Sequence, residues 1–134
     1  MRYFNPDGLG QPLGLYSHVS ESTAGRVLCI AGQVGISREG TLAGNDLDSQ
    51  LRQTIENVQT ALHECNASLD EIAMMTTYLI EADDIPHFMD ARQRIFPDYF
   101  GTEPYPPNTL LVVARLVDPR FRIEVQALAI TSSA

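Results

Sequence analysis

The residue with the clearest chemical potential is Glu124, which stands between Ile123 and Val125 in an apolar stretch near the end of the sequence. A carboxylate in such surroundings must be paired with a donor, be protonated, or be used to accept a proton in a reaction. The structural alternatives are a place on the solvated face of a sheet or an ion pair across a hairpin with Arg115 or Arg122. An exposed pair of that kind stabilises a fold by only about 0 to 1 kcal/mol.

Other reactive groups are scattered along the chain. The three histidines, His18, His63 and His87, are far apart, and no Cys-x-x-Cys or His-Glu-x-x-His spacing is present, so we expect no metal site. The two cysteines, Cys29 and Cys65, are too few for a disulfide framework. They indicate a reducing compartment, and we expect both to be buried thiols.

The composition indicates a small globular protein. With 134 residues and 44% hydrophobic content, the chain is expected to form one domain, residues 1–134, around one core. Its first residues lack the apolar run of a signal peptide, and no stretch approaches the roughly 18 apolar residues that span a bilayer. We therefore expect a soluble, cytoplasmic protein without a membrane partner. A net charge of −8 disfavours a nucleic-acid partner, because such binding draws on Lys and Arg to neutralise phosphates.

A first helix is predicted over about residues 47–65, where apolar residues recur at spacings of three and four. Asp46 or Asp48 can cap its start, and Asn66 suits its end. The face opposite the apolar stripe includes Gln50 and is expected to be wet.

A second helix is predicted after residues 83–84, with Pro86 in its first turn, where proline is tolerated. Pro97 should break or kink this helix near its end. The side chains expected to be buried along it are Ile85, Phe88, Met89, Ile95 and Phe96.

Strands are predicted at residues 16–21, 26–34 and 73–80, and then in a terminal hairpin of residues 108–116 and 121–130. The run 27–32 is apolar on both faces, as in a strand that is covered on both sides. Because two helices cover only one face of a sheet, the other face should be buried against other subunits. The order β-β-α-β-α-β-β predicts an α+β domain, a mixed sheet with two helices on one face, that self-associates.

Several segments, in this order, resemble the RidA family, also called YjgF, of enamine and imine deaminases. The likeness spans about residues 16–130 and rests on segments 14–17 (GLYS), 28–33 (LCIAGQ), 53–62, 96–100 (FPDYF), 113–116 (VARL) and 123–127 (IEVQA). The resemblance implies a chorismate-mutase-like fold assembled as a homotrimer, with a central barrel of sheets and a small-molecule cleft at each subunit interface. It also implies hydrolysis of reactive enamines or imines to a keto acid and ammonia, with no cofactor.

The resemblance assigns roles to particular positions. Water must add to the imine carbon, so such a site needs a group that accepts the proton of water and an anchor for the substrate. Glu124 matches the acid that holds this water in the family, and Tyr16 matches a tyrosine of the cleft. The candidate catalytic residues are thus Glu124 and Tyr16, and the candidate substrate-binding residues are Asn108, Ala31, Gly32, His18 and Gln93.

Three positions depart from the family pattern. Asn108 replaces an arginine that grips the substrate carboxylate; losing such a charged partner costs about 2 to 5 kcal/mol, so ordinary 2-imino acids should be poor substrates. Ala31 removes a hydroxyl group from the pocket wall. His18 is expected on the same strand face as Tyr16, where it would transfer protons or only form a hydrogen bond at the cleft edge. Arg115 matches a structural residue of the family, and its use as a substitute anchor is a less favoured alternative.

The favoured hypothesis is a homotrimeric hydrolase that acts on a small enamine, imine or related metabolite other than an ordinary 2-imino acid. The alternative is a non-catalytic trimer that binds a small metabolite or has a regulatory role, which the missing arginine and Ala31 motivate. Ribonuclease activity is a label attached to some members of the family, and the net charge of −8 counts against it here.

Overall fold

The computed structural model describes residues 1–132, in which a four-stranded sheet, a two-stranded ribbon and two long helices are present. In chain order these elements are β1 (Arg2–Phe4), β2 (Val19–Glu21), β3 (Arg26–Val34), α1 (Leu47–Glu64), β4 (Ile72–Leu79), α2 (Asp84–Phe100), β5 (Asn108–Val112) and β6 (Ile123–Thr131). Strands β1 and β2 form the ribbon.

The large sheet is mixed and has the strand order β3-β6-β4-β5. Strand β6 runs antiparallel to β3 and β4, whereas β5 runs parallel to β4. The predicted terminal hairpin is therefore wrong, since β4 lies between β5 and β6, and β5 ends at Val112 rather than at residue 116. After β5 the guanidinium of Arg115 donates to the backbone oxygens of Leu116 and Val117, which holds this stretch as a loop.

One core joins both helices to one face of the sheet, as predicted. Alternate residues of β6 point into this core, and Ile123 and Ala129 are fully buried there. The apolar stripe of α1 packs against them, with Leu47, Leu51 and Leu62 also fully buried. Burial of each of these leucine side chains stabilises the folded state by about 1.5 to 3 kcal/mol. These contacts fix the sheet that carries the candidate site.

Helix α1 has the predicted ends. The side chain of Asp46 accepts a hydrogen bond from the Ser49 backbone N–H at 2.9 Å, which satisfies one of the free donors of the first turn. The chain leaves the helix through Asn66, whose φ of 55° is left-handed. Both ends are local features, which explains why the sequence pattern located them.

Gln50 of α1 corrects the prediction that this helix face is wet. Its side chain is fully buried, and its amide N–H groups donate to the backbone oxygens of Gly44 and Arg120. Its amide oxygen accepts a hydrogen bond from the Arg122 backbone N–H at 2.8 Å. The loops before α1 and before β6 therefore cover this part of the helix, and helical periodicity carries no information about them.

Helix α2 continues through Pro97 to Phe100, so of the two predicted outcomes, a break or a kink, the break is wrong. Pro97 lies in the last turn, where it removes a single backbone hydrogen bond. The rings of Phe96 and Phe100 pack against Tyr105, with centroids 6.1 and 6.2 Å away, and hold this turn. Ile85 was expected in the core but is 37% exposed, because it faces a hollow beside the helix.

The second face of the sheet is open in the single chain. Val27, Leu111 and Leu128 are exposed on it, and so is Cys29, contrary to the prediction of a buried thiol. Cys29 is exposed because alternation along β3 turns it away from the helices. Cys65, at the end of α1, is only partly buried. The burial of this face against other subunits, expected from the sequence, stays a prediction.

Neither helix of the described chain has the length and apolar character needed to cross a membrane. Among residues 1–132, no three His, Cys, Asp or Glu side chains are grouped in a way that would hold a metal ion.

Candidate functional site

Glu124 lies on the open face of the sheet, on β6, opposite Tyr78 of β4 in the strand register. Within residues 1–132 its carboxylate makes no hydrogen bond or salt bridge. Arg122 instead binds Asp84 at 2.8 Å, and Arg115 binds backbone oxygens of its own loop. The ion pairs considered from the sequence are therefore not formed, and this carboxylate has no partner within the described chain.

A bulge in β3 lies directly beside this carboxylate. The pairing of β3 with β6 shifts between Ile30 and Gln33, which marks a β-bulge or similar irregularity around Ala31 and Gly32. A Cβ atom added at Gly32 would lie 2.5 Å from Oε2 of Glu124, closer than atoms in van der Waals contact. Glycine at this position therefore lets the carboxylate lie over the strand.

Tyr16, His18 and Asn108 form a second group at the start of β5. The strand predicted for residues 16–21 is shorter, so Tyr16 and His18 lie in the loop before β2. Their rings meet edge to face with centroids 5.8 Å apart. The Nε2 atom of His18 lies 2.7 Å from the backbone oxygen of Gly10. All three residues line one pocket of about 350 Å³.

Asn108 belongs to the helix side of the sheet. It pairs in register with Met75, a core residue, and its Oδ1 accepts a hydrogen bond from the buried Thr77 hydroxyl at 2.9 Å. Its Nδ2 group is buried without a partner. Glu124 lies on the opposite face of the same sheet, so one chain does not bring Asn108 and Glu124 together.

Two other candidate residues lie apart from Asn108. Gln93 is exposed on α2 and does not line the hollows that contain Asn108. Ala31 is exposed in the β3 bulge, next to Gly32. The structure thus gives two groups, one around Tyr16 and Asn108 and one around Gly32 and Glu124.

Arg92 of α2 is a further residue of the site that the sequence analysis did not single out. It is only 3% exposed, and it lines a hollow of about 310 Å³ together with Tyr16 and Asn108. Burial lowers its pKa to about 10, an effect that the nearby Tyr16 opposes, so it stays protonated at neutral pH. The available signal was its spacing, since Arg92 falls four residues from both Phe88 and Phe96 on the buried stripe of α2.

Comparison with known proteins agrees with this fold. The sequence matches the family described as endoribonuclease L-PSP over residues 10–131. A RutC family protein of Pyrococcus horikoshii is 32% identical over 120 residues, which cover 89% of each sequence. The 2-iminobutanoate/2-iminopropanoate deaminase of Salmonella typhimurium is 22% identical over 119 residues, which cover 89% of this chain and 91% of that protein.

A solved structure shows the same similarity over almost the whole chain. YyfB from Yersinia pestis, a protein of unknown function in the conserved Rid family, superposes with a TM-score of 0.87 at 29% identity, covering 97% of this chain and 98% of that chain. The two helices and the mixed sheet therefore form the RidA fold. This chain belongs to the RidA family, for which endoribonuclease L-PSP is the description of the matching family model.

Proposed function

We propose that this protein is a RidA-like hydrolase that removes ammonia from a small enamine or imine, with Glu124 as the group that activates water. The observation that supports this most directly is the carboxylate of Glu124, which lies over Gly32 without a partner in residues 1–132. Similarity to a protein named as a deaminase of 2-iminobutanoate and 2-iminopropanoate supports the same class of reaction.

The reaction needs only one proton acceptor at the position of the water. A water molecule held by Glu124 gives a proton to the carboxylate while its oxygen bonds to the imine carbon. The protonated carboxyl group then returns this proton to the nitrogen. The hydroxyl group of this adduct then gives its proton, through the same carboxylate, to the nitrogen as the C–N bond breaks, so the carbon becomes a carbonyl group and the nitrogen leaves as ammonia.

We also propose that the complete site forms between subunits of a homotrimer. Glu124 and Asn108 lie on opposite faces of one sheet, so a ligand that contacts both must take them from two chains. The exposed apolar side chains of Val27, Leu111 and Leu128 give the open face the character of a subunit interface. Burying this face would enclose Glu124 and exclude bulk water from it.

Leu128→Arg is expected to convert the trimer to monomers, because it places a charge in the centre of the proposed interface. Sedimentation of the wild-type chain should give three times the mass of the monomer. Sedimentation of the variant should give the mass of a single monomer. Val117→Arg is the matched control, since Val117 is 82% exposed in the loop after β5. A wild-type chain that sediments as a monomer would contradict the shared site.

Substrate preference should reflect the uncharged side chain of Asn108. We expect 2-iminopropanoate to be hydrolysed at least about tenfold more slowly, in kcat/KM, than imines without a carboxylate on the reacting carbon. Ammonia release from freshly generated imines, corrected for uncatalysed hydrolysis, measures this. Equal rates would show that Asn108 does not set the preference. No ammonia above background from any imine would favour the alternative of a non-catalytic binding protein.

A further inference from the structure

Two hydrogen-bond donors in the hollow beside α2 have no acceptor. The Nε atom of Arg92 and the Nδ2 atom of Asn108 are both buried without a partner, and both residues line this hollow. Buried polar groups in folded proteins are nearly always hydrogen-bonded. Two unpaired donors at one cavity therefore point to an acceptor that the described chain does not supply.

The surroundings of Arg92 hold its guanidinium in place without neutralising it. Its carbon Cζ lies 5.1 Å from the ring centroid of Phe88, 5.8 Å from that of Tyr16 and 6.0 Å from that of Phe96. Its Nη2 atom contacts Met89 Sδ at 3.2 Å, and a thioether sulfur is a weak acceptor. Within residues 1–132 Arg92 forms no salt bridge. A buried charge of this kind is costly unless an anion pairs with it.

We propose that Arg92 and Asn108 form the anion-binding end of the ligand site, and that the ligand is a small carboxylate with an apolar body. The planar guanidinium and the amide present N–H groups that match the two oxygens of a carboxylate. Leu13, Ile85, Met89 and Leu110 form apolar walls around the same hollow.

This inference rests on the proposed function and specifies its substrate class. The charge that strand position 108 lacks comes here from Arg92 of helix α2, so the carboxylate binds between the strand and the helix, displaced from position 108 toward α2. A short 2-imino acid has its carboxylate bonded directly to the reacting carbon, and binding at Arg92 would misplace that carbon. The preferred substrate therefore has at least one methylene between its carboxylate and its imine carbon.

Binding of a stable product analogue tests the inference without turnover. The probe is 4-oxopentanoate, whose carboxylate is separated from its carbonyl carbon; the comparison compounds are its uncharged amide and inorganic phosphate. Calorimetry should show that the amide binds about 30-fold more weakly than the acid, and that Arg92→Met weakens binding of the acid by a similar factor. Arg92→Lys should keep part of the affinity, because it retains the charge but not the fork of donors.

Arg94→Met is the matched control, since it makes the same change at an exposed position on the same helix, and it should leave binding unchanged. Asn108→Asp provides a second test if Arg92→Met does not fold. It keeps an acceptor for the Thr77 hydroxyl and places a carboxylate in the pocket that Arg92 lines. This variant should have a higher Tm and lose binding of 4-oxopentanoate.

Several results would overturn the assignment: equal binding of the acid and the amide, no binding of the acid, binding of phosphate alone, or unchanged affinity in Arg92→Met. A lower Tm with intact binding in Asn108→Asp would do the same. Ammonia release without carboxylate-dependent binding would refute this inference and leave the proposed function standing. Carboxylate binding without ammonia release would refute the proposed function and leave the anion site standing.

Discussion

Glu124→Gln is expected to lower the rate of ammonia release by about 10² to 10⁴-fold, the usual range for loss of a general base. Glutamine has nearly the same shape as glutamate but does not accept a proton from water. The carboxylate has no hydrogen bond or salt bridge within residues 1–132, so the substitution removes no internal contact. The Tm and the mass of the assembly in solution should therefore stay unchanged while turnover is lost.

A matched control separates this effect from a change in charge alone. Glu39→Gln makes the same chemical change at an exposed loop position, and its rate should equal that of the wild-type chain. Both variants should be assayed with the same freshly generated imines and the same correction for uncatalysed hydrolysis. Equal rates in Glu124→Gln and the wild-type chain would remove Glu124 from the mechanism.

The helices show what a sequence pattern captures well. The apolar stripe of α1 and the cap at Asp46 are local, because both depend on residues within a few positions of each other. The same pattern failed at Gln50, whose partners Gly44, Arg120 and Arg122 include two on a loop about 70 positions away in sequence. Contacts between distant segments decide which polar residue of a helix is buried, and periodicity does not contain them.

The strands show the same limit in another form. Alternation along residues 121–130 predicts that Ile123 and Ala129 share the core-facing side of this strand, and both are buried. It did not predict the neighbours of this strand, because the alternation would be the same in a terminal hairpin and in the observed order β3-β6-β4-β5. The parallel pairing of β5 with β4 depends on helix α2 crossing over between them.

The residues of the candidate site were predictable to different degrees. Glu124 stood out because a carboxylate interrupts an apolar strand, and the family resemblance also pointed to Gly32 and Asn108. Arg92 did not stand out, although it occupies a buried position of α2, because an arginine in a helix is usually on the surface. Only the fold shows that Arg92 and Asn108 line the same pocket.

Gly32→Ala is expected to lower turnover by about 10²-fold while changing stability little. The added Cβ atom would lie 2.5 Å from Oε2, 2.6 Å from Cδ and 2.9 Å from Cγ of Glu124, so this side chain must turn and carry its carboxylate aside. The atoms displaced are the flexible end of a side chain, which makes the cost to the fold small. Misplacing a reacting group by about 1 Å costs on the order of 10²-fold in rate. Gly8→Ala is the control, because no atom lies within 4 Å of a Cβ added there.

Combining the two substitutions shows whether Gly32 acts through Glu124. If the only effect of Gly32→Ala is to move the carboxylate, it should cost nothing further once that carboxylate is replaced, because coupled residues are not additive. The double variant Gly32→Ala, Glu124→Gln should then release ammonia as fast as Glu124→Gln alone. The double variant could instead be slower than the wild-type chain by the product of the two single-variant factors. Gly32 would then contact the ligand directly, through its backbone at the β3 bulge.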